Sequence, residues 1–286
     1  MKMAATLELS TIGVLNVEKQ NESIVFTGIL STNIKQTVEN YFDLNRNYEE
    51  IKLQLGNIDK YLKTSIEYGK GIRILNQDLW ETIISFIISA NNNIPRIKGI
   101  IERISQKYGK EIDWKGTKYY TFPTPEELSK ATPRDFRELG SGFRDVRLYE
   151  TTQTILSKKV DLEKMHTLGT LEAREELLTL SGVGPKVADC ILLFSTLKRF
   201  DVFPIDVWVR RVMNQLYIKN EDENKVSKKE ITNIAEKKFG NLQGLAQQYL
   251  FYWKRGWDWK IITIFTSLNF IQNAVTYTKY APLPFE

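Results

Sequence analysis

The sequence predicts a mainly α-helical protein with a small α+β domain, built on an antiparallel sheet, at its N-terminus. Three observations carry this. Strand-like alternation is confined to residues 13–30. From Asn33 onward the pattern is helical. Residues 77–90, "QDLWETIISFIISA", are almost wholly apolar after the first turn, as in a buried central helix. A length of 286 residues gives one or two domains at about 150 residues each, and it can bury a sizeable core. The chain divides into an N-terminal α+β domain (1–72), a helical domain (73–256) and a C-terminal tail (257–286).

Within the first part, "GVLNVEK" and "SIVFTGIL" flank Gln20, Asn21 and Glu22 as the arms of a hairpin. A lone hairpin is marginal, so it must lean on other structure. Asn91, Asn92 and Asn93 interrupt the apolar helix, and Pro95 suits the first turn of the next one, over 94–108. Residues 119–133 read as loop, with Pro123, Pro125 and Pro133. Helices follow over 145–158, 171–180 and 185–197, then from near Asp206, and over 241–255; 221–229 reads as a charged loop. The tail "KIITIFTSLNFIQNAV" falls short of the roughly 20 apolar residues a membrane span needs, and it reads as a packed segment.

Composition narrows the chemistry. Hydrophobic residues make up 42% and charged residues 26%, as in an ordinary globular protein. A net charge of +5 and a pI near 9.0 permit a polyanionic partner. The single cysteine, Cys190, excludes an internal disulfide, an all-cysteine zinc site and a four-cysteine iron–sulfur cluster. The single histidine, His166, excludes two-histidine metal motifs, so a nucleophile would have to be Lys, Ser, Asp or Glu. Residues 1–13 lack a signal-peptide core, which points to an intracellular, reducing compartment.

The most informative stretch is "LSGVGPKVADC", residues 180–190. Gly182 and Gly184 permit a tight turn with close backbone approach, and Pro185 fits the first turn of the helix that follows. Such a helix–hairpin–helix presents backbone N–H groups to an anion such as a DNA phosphate, without reading sequence. Lys186 falls in that first turn, where the helix field repels a cation. The same field favours the neutral, nucleophilic amine of Schiff-base chemistry. A plain phosphate-contacting lysine fits the local pattern equally well. Asp206, in "VFPIDVWVRRV", reads as a helix N-cap that can double as a rigidly held catalytic carboxylate.

"LSGVGPKVADC" followed by "FPIDVWV" resembles the helix–hairpin–helix Gly/Pro–Asp superfamily of base-excision DNA glycosylases. "SANNNIPRIKGIIERI" and "GLAQQYLF" narrow the resemblance to the 8-oxoguanine DNA glycosylase/AP lyase family. These motifs run in order from about Leu75 to Tyr252. The resemblance implies the helix–hairpin–helix glycosylase fold and a set of roles. Lys186 would attack the sugar carbon of a flipped nucleoside, and Asp206 would stabilise the developing positive charge. Gln247 would bond the edge of the extruded base, with Phe251 and Cys190 on its two faces. Asn91 would fill the vacated space, Arg96 and Arg144 would bond the orphaned cytosine, and Phe143 would wedge the opposite strand. Gly182, Gly184, Val187 and Trp208 would contact the DNA backbone. Extrusion is needed because the glycosidic carbon is inaccessible inside the stack. The implied chemistry needs no metal or organic cofactor, although such hairpins can hold a monovalent cation through backbone carbonyls. The implied partner is double-stranded DNA carrying oxidised guanine, met by a monomer with no membrane attachment.

The resemblance departs in two places. The family's N-terminal strand–turn motif of Gly, Gln, Phe and Arg, whose glycine carbonyl distinguishes 8-oxoguanine from guanine, has no counterpart. The match begins near Ile12 or Gly13, so part of the sheet is expected to be missing. The tail after residue 256 has no counterpart either. Covering apolar surface left open by the missing strands is one expectation for it. Other readings remain: a catalytically impaired DNA-binding protein, or an enzyme for another damaged base. Lys186 argues against a monofunctional alkyl-base enzyme, which needs only the aspartate. His166 lies in no motif.

Overall fold

The computed structural model describes residues 2–8, 11–20, 23–30 and 33–255. The sheet has three antiparallel strands, β1 (Lys2–Glu8), β2 (Thr11–Gln20) and β3 (Ser23–Leu30), in that order. β2 and β3 form the expected hairpin, in register from Gly13 opposite Leu30 to Gln20 opposite Ser23. β1 was not expected. Its "KMAATLE" is poor in β-branched and aromatic residues, so local propensity is silent. Pairing with β2, from Lys2 opposite Asn16 to Thr6 opposite Ile12, makes it a strand.

The sheet leans on α1 (Ile34–Tyr41), whose first turn is capped by the Asn33 side chain. Leu15, Val38, Tyr41, Phe42 and Leu75 form the small core between them. Helices α2 (Tyr48–Gly56) and α3 (Lys60–Tyr68) lie before residue 72 but pack elsewhere. Their Tyr48, Leu55, Leu62 and Ile66 enter the main helical core, and the Tyr68 ring meets Tyr252 at 5.4 Å. The sequence boundary at 72/73 therefore falls inside a shared core.

The central helix is α4 (Leu79–Ser89), capped by Asp78. Its residues are buried all round except Glu81 and Ser89, and the Trp80 indole donates to the Pro123 carbonyl at 2.9 Å. α5 (Ile94–Tyr108) follows with the predicted bounds. A short hairpin, β4 (Glu111–Trp114) and β5 (Thr117–Tyr120), precedes α6 (Pro125–Leu128) and α7 (Pro133–Glu138). Both short helices open with Thr-Pro capping boxes, so the proline-rich stretch read as loop contains two helix starts.

α8 (Asp145–Leu156), α9 (Leu162–Met165), α10 (Thr170–Leu178), α11 (Pro185–Phe194) and α12 (Val207–Met213) carry the chain past the glycine-rich turn. α13 (Lys228–Phe239) was not expected. Its sequence is largely charged, and it buries only the narrow stripe Ile231, Ala235 and Phe239. α14 (Gln243–Arg255) ends the described part and packs along α3 and α12. The tail of residues 257–286 lies outside the described residues. Among those described, no helix is long and apolar enough to cross a membrane.

Candidate active site

The hairpin between α10 and α11 is held from below. The Thr151 hydroxyl of α8 donates to the Ser181 carbonyl at 2.9 Å, and the Ser181 hydroxyl donates to Glu150 at 2.6 Å. An Arg174–Asp189 ion pair at 2.8 Å ties α10 to α11. Gly182 has φ +87°, and a Cβ there would stand 3.0 Å from Arg147 Cδ and 3.2 Å from Ile87. Gly184 caps α11 with ordinary φ and no neighbour within 4 Å, so nothing shields the start of that helix.

Two glycines in one turn thus have different jobs. Gly182→Ala should strain the backbone and cost about 1–2 kcal/mol. Gly184→Ala should melt like the parent and, where the hairpin meets a DNA phosphate as the resemblance implies, bind duplex DNA more weakly. Thermal unfolding and DNA titration check the pair. Equal DNA affinity for Gly184→Ala would remove the hairpin from the binding face.

Lys186 and Val187 are half-buried in the first turn of α11. The Lys186 amine stands 6.0 Å from the centre of the Phe86 ring. Cys190, one turn on, is 4% exposed. Burial pushes its thiol up to about 12; Lys186 opposes the shift, while Asp189 and Asp206 add to it. The amine, the thiol and the Asp206 carboxylate therefore share one neighbourhood. Asp206 caps α12, its carboxylate accepting from Val209 N at 2.8 Å.

Gln247 and Phe251, one turn apart on α14, line a small, half-open apolar recess with Phe203, Val209 and Met213. Gln247 is 3% exposed and donates to the Pro204 carbonyl, which fastens α14 to the segment leading into Asp206. Cys190, which the resemblance sets on one face of the extruded base, lies beside Lys186. Trp208 is half-buried on α12, with the Arg211 guanidinium 5.0 Å from its ring.

The asparagine triplet divides its work. Asn92 donates to the Ile88 carbonyl at 3.0 Å and closes α4. Asn93 caps α5, accepting from Arg96 N at 3.1 Å. Asn91 is exposed with φ +49°, a conformation asparagine tolerates better than most residues. Arg144 was expected to present its guanidinium to DNA, but here it points inward and is 1% exposed. Its Nε donates to the Ala90 carbonyl at 2.9 Å, Nη2 to Asn91 at 2.9 Å and Nη1 to Ser141 at 3.0 Å. It props the turn that carries Asn91. Arg96 is exposed and donates to the Gly140 carbonyl at 3.1 Å. Phe143 is 55% exposed, with the Arg144 guanidinium 4.2 Å from its ring. His166 lies away from this face, near Asp78 at the opposite end of α4. Among the described residues, no three His, Cys, Asp or Glu side chains gather as a metal would require.

Residues 84–241 match the HhH-GPD superfamily of base excision DNA repair proteins, which is more than half of the chain. The chain belongs to that superfamily. In addition, residues 5–83 of this HhH-GPD protein match the N-terminal domain of 8-oxoguanine DNA glycosylase. That match begins earlier than the expected start near Ile12 or Gly13, and the extra residues include the second half of β1. A probable N-glycosylase/DNA lyase of Methanothermobacter thermautotrophicus is 32% identical over 260 residues, spanning 82% of this chain and 81% of the relative. The N-glycosylase/DNA lyase of Saccharomyces cerevisiae is 31% identical over 281 residues, spanning 85% and 74%. A crystal structure of Clostridium acetobutylicum 8-oxoguanine glycosylase/lyase, with double-stranded DNA containing cytosine opposite 8-oxoguanine, is 46% identical. It covers 85% of this chain and 82% of that one, with a TM-score of 0.78.

Sequence reasoning passed over Phe203 and Met213, which line the recess, and Arg147, which touches the hairpin. Their residue types carry no signal. Only the packing of α8, α12 and α14 brings them to the site.

Proposed function

We propose that this HhH-GPD protein is a bifunctional DNA N-glycosylase and AP lyase that excises 8-oxoguanine from duplex DNA and nicks the strand. The observation that carries this reading is the gathering of Lys186 and Asp206 at the hairpin, beside the recess under Gln247 and Phe251. The Lys186 amine attacks the anomeric carbon of the flipped nucleoside and the glycosidic bond breaks. The base leaves with the electron pair and takes up a proton. Asp206 stabilises the positive charge that develops at the sugar. Ring opening gives the Schiff base, loss of a proton from C2′ expels the 3′-phosphate, and water then frees Lys186. No step calls for a metal or organic cofactor; a monovalent cation at the hairpin carbonyls would be structural.

The extruded base enters the recess, where Gln247 meets its polar edge and Phe251 covers a face. Asn91 fills the gap it leaves. Phe143 wedges the opposite strand, Arg96 meets the orphaned cytosine, Arg144 joins it only by giving up its bonds to the Ala90, Asn91 and Ser141 carbonyls, and Gly182, Gly184, Val187 and Trp208 hold the backbone. The protein acts as an intracellular monomer on DNA. The names of its relatives support this assignment.

Borohydride trapping tests it, on duplexes with 8-oxoguanine opposite cytosine, an abasic site, or no damage. The parent should form a covalent adduct with the first two only, and Lys186→Gln with none. An adduct with abasic DNA alone would leave the lyase and overturn the choice of base. Binding without any adduct would make the chain a DNA-binding protein.

A further inference from the structure

Arg147 stands in the first turn of α8, exposed to solvent. Its stem packs on the hairpin, where a Cβ on Gly182 would meet Arg147 Cδ at 3.0 Å and Arg147 Cβ at 3.2 Å. Its guanidinium lies 5.4 Å from the centre of the Phe143 ring. One side chain therefore touches both the phosphate-facing turn and the exposed aromatic.

The charge around it is unbalanced. Arg96 and Arg147 both push the pKa of Arg144 down, which burial has already lowered. The acids nearest in sequence are committed elsewhere. Asp145 accepts from Arg137 at 2.7 Å, and Glu150 accepts from Ser181. Among the described residues Arg147 has no hydrogen-bond or ion-pair partner. A cation in the first turn of a helix also opposes the helix dipole. Arg144 is sealed by backbone carbonyls and Arg96 donates to Gly140, which leaves Arg147 as the solvent-facing guanidinium of this basic cluster, open to an anion. A planar guanidinium grips a phosphate through two parallel bonds and stacks flat on a ring; an ammonium still pairs with a phosphate as a point charge but does not stack.

We infer that Arg147 is a positioning residue that couples the two grips on DNA. Its guanidinium bonds one backbone phosphate of the duplex and, in the same pose, holds Phe143 upright against the opened base step. The inference rests on the function proposed above.

The test measures DNA affinity against salt for the parent, Arg147→Ala and Arg147→Lys, using a duplex with 2-aminopurine beside the orphaned base. Arg147→Ala should flatten the slope of log affinity against log salt by about 0.9, the value of one phosphate contact, and dim the fluorescence that reports unstacking. Arg147→Lys should keep the parent slope and lose the fluorescence gain. A merely structural arginine would change the melting temperature and leave the slope alone. An unchanged slope for Arg147→Ala, or parent-like fluorescence for Arg147→Lys, would overturn the inference. Trapping with the parent reports separately on the enzymatic reading. An absent adduct would sink that reading, whereas a trapped parent with unaltered variants would sink only this one.

Discussion

Asp206→Asn should fold like the parent and excise 8-oxoguanine about 10³-fold more slowly, while Asp206→Ala loses the same activity and about 1 kcal/mol of stability as well. The two variants separate the observed cap from the proposed counter-charge. As a cap, Asp206 accepts the Val209 N–H, and an asparagine amide oxygen accepts it equally well. As a counter-charge, Asp206 must be negative when the sugar carbon becomes positive, and asparagine supplies no charge. Single-turnover excision and thermal unfolding read the two jobs independently. Full activity in Asp206→Asn would reduce the residue to a cap and move the catalytic burden onto Lys186 alone.

The same duality explains which parts of this molecule were legible in its sequence. Features that depend on neighbours in the chain were readable. The bounds of α5 follow from Asn93, Pro95 and Gly109, and the hairpin follows from Gly182, Gly184 and Pro185. Asp206 was readable as a cap for the same reason. Features set by distant neighbours were not. β1 exists because β2 pairs with it, and α13 because a stripe of three buried residues finds the main core. The assignment of α2 and α3 to that core required Tyr68 to meet Tyr252 from the far end of the chain.

Side-chain direction was the least legible property. Motif position carries no side-chain direction for Cys190 or Arg144. Packing sets Cys190 beside Lys186 and turns Arg144 under the asparagine turn, onto the Ala90 carbonyl. An arginine beside an exposed phenylalanine reads from sequence as surface charge. Here one such arginine is sealed by backbone carbonyls and the next, Arg147, lies across the hairpin.

Arg144→Ala should destabilise the protein by about 2–4 kcal/mol, because the Ala90, Asn91 and Ser141 carbonyls lose their shared donor. Excision should fall with stability, since the turn presenting Asn91 loses its prop. Arg144→Lys keeps the charge but replaces a fork by a point, so it should recover less than half of the lost stability. The pattern distinguishes two arrangements of one residue. If Arg144 remains inward, both variants melt early, and melting and excision decline together. If it swings outward on DNA to meet an orphaned cytosine, Arg144→Ala also loses discrimination between bases opposite the lesion, beyond what its lost stability explains. Melting temperature reads the resting arrangement, and base discrimination reads the swing. The three carbonyls it holds in the absence of DNA favour that inward arrangement as the resting state, so that any outward swing must first give up those bonds.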